Sequence, residues 1–283
     1  MRSRRALLSI AVAVTALAAA VIVPASQATA VTPHYYVALG DSLSRGYMPP
    51  AGDSDQGYAN DLYATLHAKD PSLVLVKLGC SGETTTTMIT GGECTDRYPV
   101  GTSQLAAAEQ FLRGHLGQVT YLTLDIGAND VDGCATGGSI DPVCVTQGTV
   151  TIVKNLQAIL AGLTAADKKL PRSIGMTYYD PFLAAWLSGA QGQLVATASV
   201  TLLVAINQLE RLLYNGYGFK IADVATTFQT LDFGHPRTVA PYGTLPRNVA
   251  NICEFTFMCS QQNIHPTVAG YQMIADTFAK AAA

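Results

Sequence analysis

Val37-Ala38-Leu39-Gly40-Asp41-Ser42-Leu43 is an apolar run that breaks at Gly-Asp-Ser. A short apolar stretch stopped by glycine reads as a buried strand ending in a turn. That turn sets the Ser42 hydroxyl at the carboxyl edge of a sheet, where open α/β sheets bind their ligands. A serine so placed becomes a nucleophile only if a base and an oxyanion site converge on it.

Outward from this stretch, strand-like and helix-like runs alternate. Strands are expected at residues 35–39, 73–78, 119–126, 173–178 and 219–224. Helices are expected at 58–68, 104–116, 146–166, 194–214 and 266–281. Residues 79–102 and 226–263 read as long irregular segments. The alternation predicts an α/β fold with a central parallel sheet between helices. It does not give the order of the strands. No internal repeat, low-complexity tract or linker divides residues 31–283, so one domain is expected there.

The amino terminus reads as a targeting segment. Arg2, Arg4 and Arg5 precede an uncharged stretch rich in Ala, Val and Leu, and Ala28-Thr29-Ala30 has the small-x-small pattern of a signal-peptidase site. Cleavage after Ala30 is expected. A membrane anchor is the alternative, weakened by the high alanine content. Ser3-Arg4-Arg5 leaves general secretory and twin-arginine export both open. Removing residues 1–30 takes three of the 17 basic side chains and none of the 20 acidic ones, so the mature chain is more acidic than the whole-chain charge of −3. Nucleic-acid binders usually carry a basic surface. No nucleic-acid partner and no membrane insertion after cleavage are expected, and a monomer is.

Six cysteines, an even number, fit disulfides in an exported chain. Sequence alone allows many pairings. The local set Cys80–Cys94, Cys134–Cys144 and Cys253–Cys259 is expected, because each pair lies in one Gly-, Thr- or Asp-rich loop. No Cys-x-x-Cys and no Cys/His spacing resembles a zinc ligand set, so no metal is expected.

A serine hydroxyl needs a base, usually histidine. Of the five histidines, His67 and His115 lie on or at the end of expected helices, His34 opens the first strand away from the catalytic edge, and His235 sits in a loop. His265, in Asn263-Ile264-His265-Pro266-Thr267, lies just before the last expected helix and returns to the edge of Ser42. Asn129, in Gly127-Ala128-Asn129-Asp130 after the third strand, offers a side-chain amide to an oxyanion. Gly82, in Gly79-Cys80-Ser81-Gly82 after the second, offers a backbone N–H that a substrate can approach closely.

In order, Gly40-Asp41-Ser42-Leu43, Gly82, Gly127-Ala128-Asn129-Asp130 and His265-Pro266 resemble the four blocks of the SGNH (GDSL) hydrolase family. The three cysteine pairs are similar to those of secreted actinobacterial lipases and esterases. The resemblance implies a three-layer α/β/α sandwich, Ser42 as nucleophile and His265 as general base and then acid. It also implies an oxyanion hole of the Ser42 N–H, the Gly82 N–H and the Asn129 side chain, with no cofactor. One position departs from the family. The aspartate usually found three residues before the histidine is Gln262 here. A Ser–His dyad is therefore expected, with the Gln262 backbone carbonyl orienting the ring, Asp232 or Asp223 being the rivals.

The expected activity is hydrolysis of carboxylic esters, of lipid or simple acyl type, through an acyl-serine. The enzyme alternative is an acetyl esterase acting on polysaccharide, and the non-enzyme alternative is an inactive glycan- or wall-binding protein. Phe182, Leu183, Trp186, Phe255, Phe257 and Met258 are candidates for an acyl pocket. There is no Gly-x-Ser-x-Gly elbow, no His-Glu-x-x-His and no P-loop.

Overall fold

Five parallel strands form one sheet in the order β2-β1-β3-β6-β7. They are β1 (His34–Gly40), β2 (Leu73–Lys77), β3 (Val119–Asp125), β6 (Arg172–Thr177) and β7 (Lys220–Asp223). Two small antiparallel hairpins, β4 (Ala135–Thr136) with β5 (Ser139–Ile140) and β8 (Arg237–Val239) with β9 (Gly243–Leu245), stand outside it. The computed structural model describes residues 32–136, 138–169 and 171–283. The expected export signal and its cleavage site lie outside the described residues.

The helices are α1 (Ser42–Arg45), α2 (Tyr58–His67), α3 (Thr85–Thr90), α4 (Gln104–Gly114), α5 (Pro142–Ala166), α6 (Gly189–Gly216), α7 (Val224–Thr227), α8 (Arg247–Phe255), α9 (Met258–Gln261) and α10 (Val268–Ala282). Side chains alternate across a strand, and in β1 both sets are buried. Tyr36 and Ala38 join a core with Leu62 of α2 and Ile274 and Phe278 of α10. Val37 and Leu39 join another with Leu112 of α4 and Leu156 and Leu160 of α5. Helices thus cover both faces, as a parallel sheet requires. The result is the expected α/β/α sandwich.

Two segments depart from the sequence expectation. Residues 79–102 hold α3, and residues 226–263 hold β8, β9, α8, α9 and the end of α7. The last helix begins after Thr267, whose hydroxyl accepts from the Gly270 N–H, so Pro266 precedes the cap instead of starting the helix. The cap supplies what proline cannot, an acceptor for an otherwise unpaired helix N–H.

Strand order fixes where ligands meet the sheet. From β1 the chain turns outward to β2 and then crosses back to β3, so the reversal falls between β1 and β3. The carboxyl ends of strands at such a reversal border a crevice. Ser42, Gly82 and Asn129 all follow the ends of β1, β2 and β3.

Candidate active site

The turn after β1 is fixed by buried polar contacts. Gly40 has φ +132°, and a Cβ there would lie 2.0 Å from the Asp125 carbonyl, so only glycine fits. Gln104 bonds both backbone groups of Gly40, accepting at 2.7 Å and donating at 2.9 Å. Asp41 caps α1 by accepting from the Leu43 N–H at 2.9 Å, and the Tyr178 hydroxyl donates to its other oxygen at 3.0 Å. Asp125, at the end of β3, accepts from the Asp41 N–H and from the Tyr58 hydroxyl. Burial raises the pKa of both carboxyls, and the charge of Asp41 raises that of Asp125 further. These contacts hold Ser42 at the first position of α1.

His265 reaches Ser42 from the far end of the chain. Its Nε2 stands 2.7 Å from Ser42 Oγ, so the hydroxyl donates to a neutral ring. Burial lowers the His265 pKa to about 4, partly opposed by Asp53. The Tyr47 ring lies 4.3 Å from the imidazole, and the Tyr179 hydroxyl donates to the Ile264 carbonyl at 2.6 Å. The His265 carbonyl accepts from the Phe257 N–H at 2.9 Å. The segment is thus tied to both α9 and the strand-end of β6.

The Nδ1 atom corrects the sequence reading. Its partner is the Asn263 side chain, with Oδ1 accepting at 2.7 Å, and not the Gln262 carbonyl. Asn263 Oδ1 also accepts from the His265 N–H at 3.1 Å, the Asx-turn geometry of a residue two positions ahead. Gln262 instead ends α9 in the left-handed region, with φ +52°, its N–H donating to the Met258 carbonyl. The rivals are engaged elsewhere, Asp223 with Arg211 and Asp232 with His235. An asparagine two residues before a histidine was the available signal.

Asn129 lies in the short turn after β3, and its amide donates to the Glu83 carbonyl at 2.9 Å. An amide has two N–H donors, so one is left for a ligand. Asp130 binds the Thr85 N–H at 2.8 Å and its hydroxyl at 2.7 Å, docking this turn on α3. Gly82 has φ +85°. The Ser42 and Gly82 N–H groups donate to no partner among the described residues. The remaining histidines serve elsewhere: His34 with Asp70, His67 with Leu73, His115 with Phe111 and His235 with Asp232.

A cavity of about 80 Å³ opens beside Ser42, Asn129 and His265. Val131, Ile140, Val145, Leu202 and Ile206 give it aliphatic walls. Of the six apolar candidates, only Phe182 lines it. Leu183 is buried in the core and Trp186 packs on Phe233. The wall comes from the stapled β4–β5 hairpin with α5 and α6, which the sequence reading did not single out. All three expected disulfides are present. No His/Cys/Asp/Glu group suited to a metal occurs among the described residues.

The sequence model of the GDSL-like lipase/acylhydrolase family matches residues 38–273. A comparison with curated proteins gives no match. Among solved structures, an extracellular lipase from Streptomyces rimosus is similar at 17% identity, with 88% of this chain and 99% of that one covered and a TM-score of 0.55. A phospholipase A1 from Streptomyces albidoflavus NA297 is similar at 18% identity, covering 88% and 100%, with a TM-score of 0.55. An acetylxylan esterase from Geobacillus stearothermophilus is similar at 14% identity, covering 88% and 94%, with a TM-score of 0.50. At these identities the likeness is one of fold.

Proposed function

This chain belongs to the GDSL-like lipase/acylhydrolase family, and from that premise we propose that it is a secreted serine hydrolase of carboxylic esters, lipid or simple acyl, working through an acyl-serine. The observation that carries the reading is the 2.7 Å contact between Ser42 Oγ and His265 Nε2. Ser42 attacks the ester carbonyl while His265 Nε2 takes its proton. The Nδ1–H stays on Asn263 Oδ1, which fixes the tautomer. The Ser42 N–H, the Gly82 N–H and the free Asn129 amide hydrogen receive the developing oxyanion. His265 then returns the proton to the departing alkoxide, and the alcohol leaves. A water attacks the acyl-serine with His265 again as base, releasing the acid and restoring Ser42.

A fluorophosphonate probe tests the nucleophile: labelling of the wild-type protein, lost in Ser42→Ala together with ester hydrolysis, is expected. Full activity in Ser42→Ala would overturn the assignment, and absence of any labelling would favour an inactive binding protein. The aliphatic cavity walls favour acyl esters over acetylated polysaccharide. Nitrophenyl acetate, longer nitrophenyl esters and acetylated xylan should therefore be compared, with xylan expected to be the poorest. Secretion is supported by the three disulfides, which persist in oxidising compartments. Amino-terminal sequencing of the exported protein is expected to begin at Val31.

A further inference from the structure

Glu210, on α6, is fully buried, and neither of its carboxyl oxygens has a hydrogen-bond partner among the described residues. It lines the cavity beside Ser42 and His265. It also abuts the Asn129 turn, since a Cβ on Gly127 would stand 2.6 Å from its Oε1. Three further carboxyls line the same cavity, Asp41, Asp132 and Asp180, of which Asp41 is held by the Leu43 N–H and the Tyr178 hydroxyl. Asp132 Oδ2 is buried and unpartnered, and Asp180 accepts from the Ser199 hydroxyl at 2.7 Å. No lysine or arginine lines this space.

The tyrosine and serine hydroxyls that line the cavity outside the catalytic pair are already committed, while the unpartnered Tyr214 hydroxyl, one turn from Glu210 on α6, does not line it. The Ser199 hydroxyl serves Asp180, the Tyr178 hydroxyl serves Asp41, and the Tyr179 hydroxyl serves the Ile264 carbonyl. Outside the catalytic groups, the cavity is rich in acceptors and poor in donors. Burial raises Asp132 and Asp180 to about 7 and Glu210 well above its ordinary value, and the charge of Asp41 adds to the rise at Asp132 and Glu210. An orphaned buried acceptor is costly, and a group bringing donors relieves it. A hydroxyl brings one donor but also lone pairs that face more acceptors. A protonated amine brings three donors, no acceptor and the opposite charge.

We propose that this cavity is a subsite for an alkylammonium group, its methylene stem against Val131, Ile140, Val145 and Ile206 and its ammonium among Glu210, Asp132 and Asp180. The inference rests on the ester-hydrolase reading and narrows it. The substrates are esters whose acyl or alcohol part carries a protonated amine.

Two probes of equal heavy-atom count, pentylammonium and pentan-1-ol, test it as inhibitors of nitrophenyl acetate hydrolysis. Pentylammonium is expected to compete with substrate and to bind about tenfold or more tightly than the alcohol, as charge-assisted bonds should. Glu210→Gln combined with Asp132→Asn should shrink that preference to about threefold or less. Should that protein fail to fold, Asp132→Asn alone must lower the preference. Calorimetric titration of Ser42→Ala with pentylammonium reads binding without turnover. An ester-hydrolase reading that fails would leave this binding in place, whereas absence of binding sinks only the subsite. Equal or tighter binding of pentan-1-ol, or a preference untouched by the substitutions, overturns the proposal.

Discussion

Asn263 gives the His265 ring a neutral oxygen to lean on. An amide fixes the tautomer as well as a carboxylate does, but it lends imidazolium less stabilisation. Burial therefore dominates and the folded ring has a pKa of about 4. Protonation disables the base, so kcat/KM is expected to fall only as pH drops through about 4. Asn263→Asp places a carboxylate charge beside Nδ1 and raises the ring pKa. The acid limb should move upward by about 1–3 pH units, read from a pH–rate profile. Asn263→Ala should lower kcat by about tenfold or more, while Gln262→Ala, an exposed side chain, should leave it nearly unchanged. Asn129→Ala should remain folded and lose about 10²–10³ in kcat. At this scale Ser42 and His265 were legible because strand-end and helix-start signals bracket them. The Nδ1 partner was not, because it depends on how the Asx turn folds back.

Helix α3 shows how a weak element is held in place. Thr84-Thr85-Thr86-Thr87 is a β-branched run with low helix propensity, which is why it reads as loop. It becomes a helix through a capping box, with the Thr84 hydroxyl accepting from the Thr87 N–H and the Thr87 hydroxyl accepting from the Thr84 N–H. Asp130 secures it from the β3 side. Thr84→Ala should cost about 1 kcal/mol, seen as a lower thermal midpoint. The adjoining Glu83 carbonyl anchors Asn129, so kcat should drop with KM less affected. The region after β7 escaped the sequence for a related reason. Its strands of three residues and helices α7 and α9 of four are too short to carry a period, which does not account for the nine residues of α8.

For the whole molecule, buried acids set the pH response. Asp132 and Asp180 have folded pKa values of about 7, above their unfolded values. The protonated folded state is therefore favoured at low pH, and that stability is lost as pH rises through about 7. The thermal midpoint is expected to fall between pH 5 and pH 8, less steeply in Asp132→Asn. A midpoint that rises over this range would contradict it. The five strands were legible as apolar runs, whereas their order was not, since spacing along the chain carries no pairing information. The reversal between β1 and β3 is what makes one crevice out of three separate loops.

The three disulfides span 14, 10 and 6 positions of sequence, and none joins one strand of the sheet to another. Each lies in or beside a site segment instead. Cys80–Cys94 encloses Gly82, Cys134–Cys144 staples the hairpin that walls the cavity, and Cys253–Cys259 precedes His265. The five-stranded sheet and the core on α4 and α5 contain no disulfide cysteine, whereas Cys253 belongs to the core on α2 and α10. Under a graded thiol reductant, ester hydrolysis should disappear before far-ultraviolet dichroism changes. On that expectation oxidation completes the site on an already assembled sheet, and simultaneous loss of hydrolysis and dichroism would contradict it.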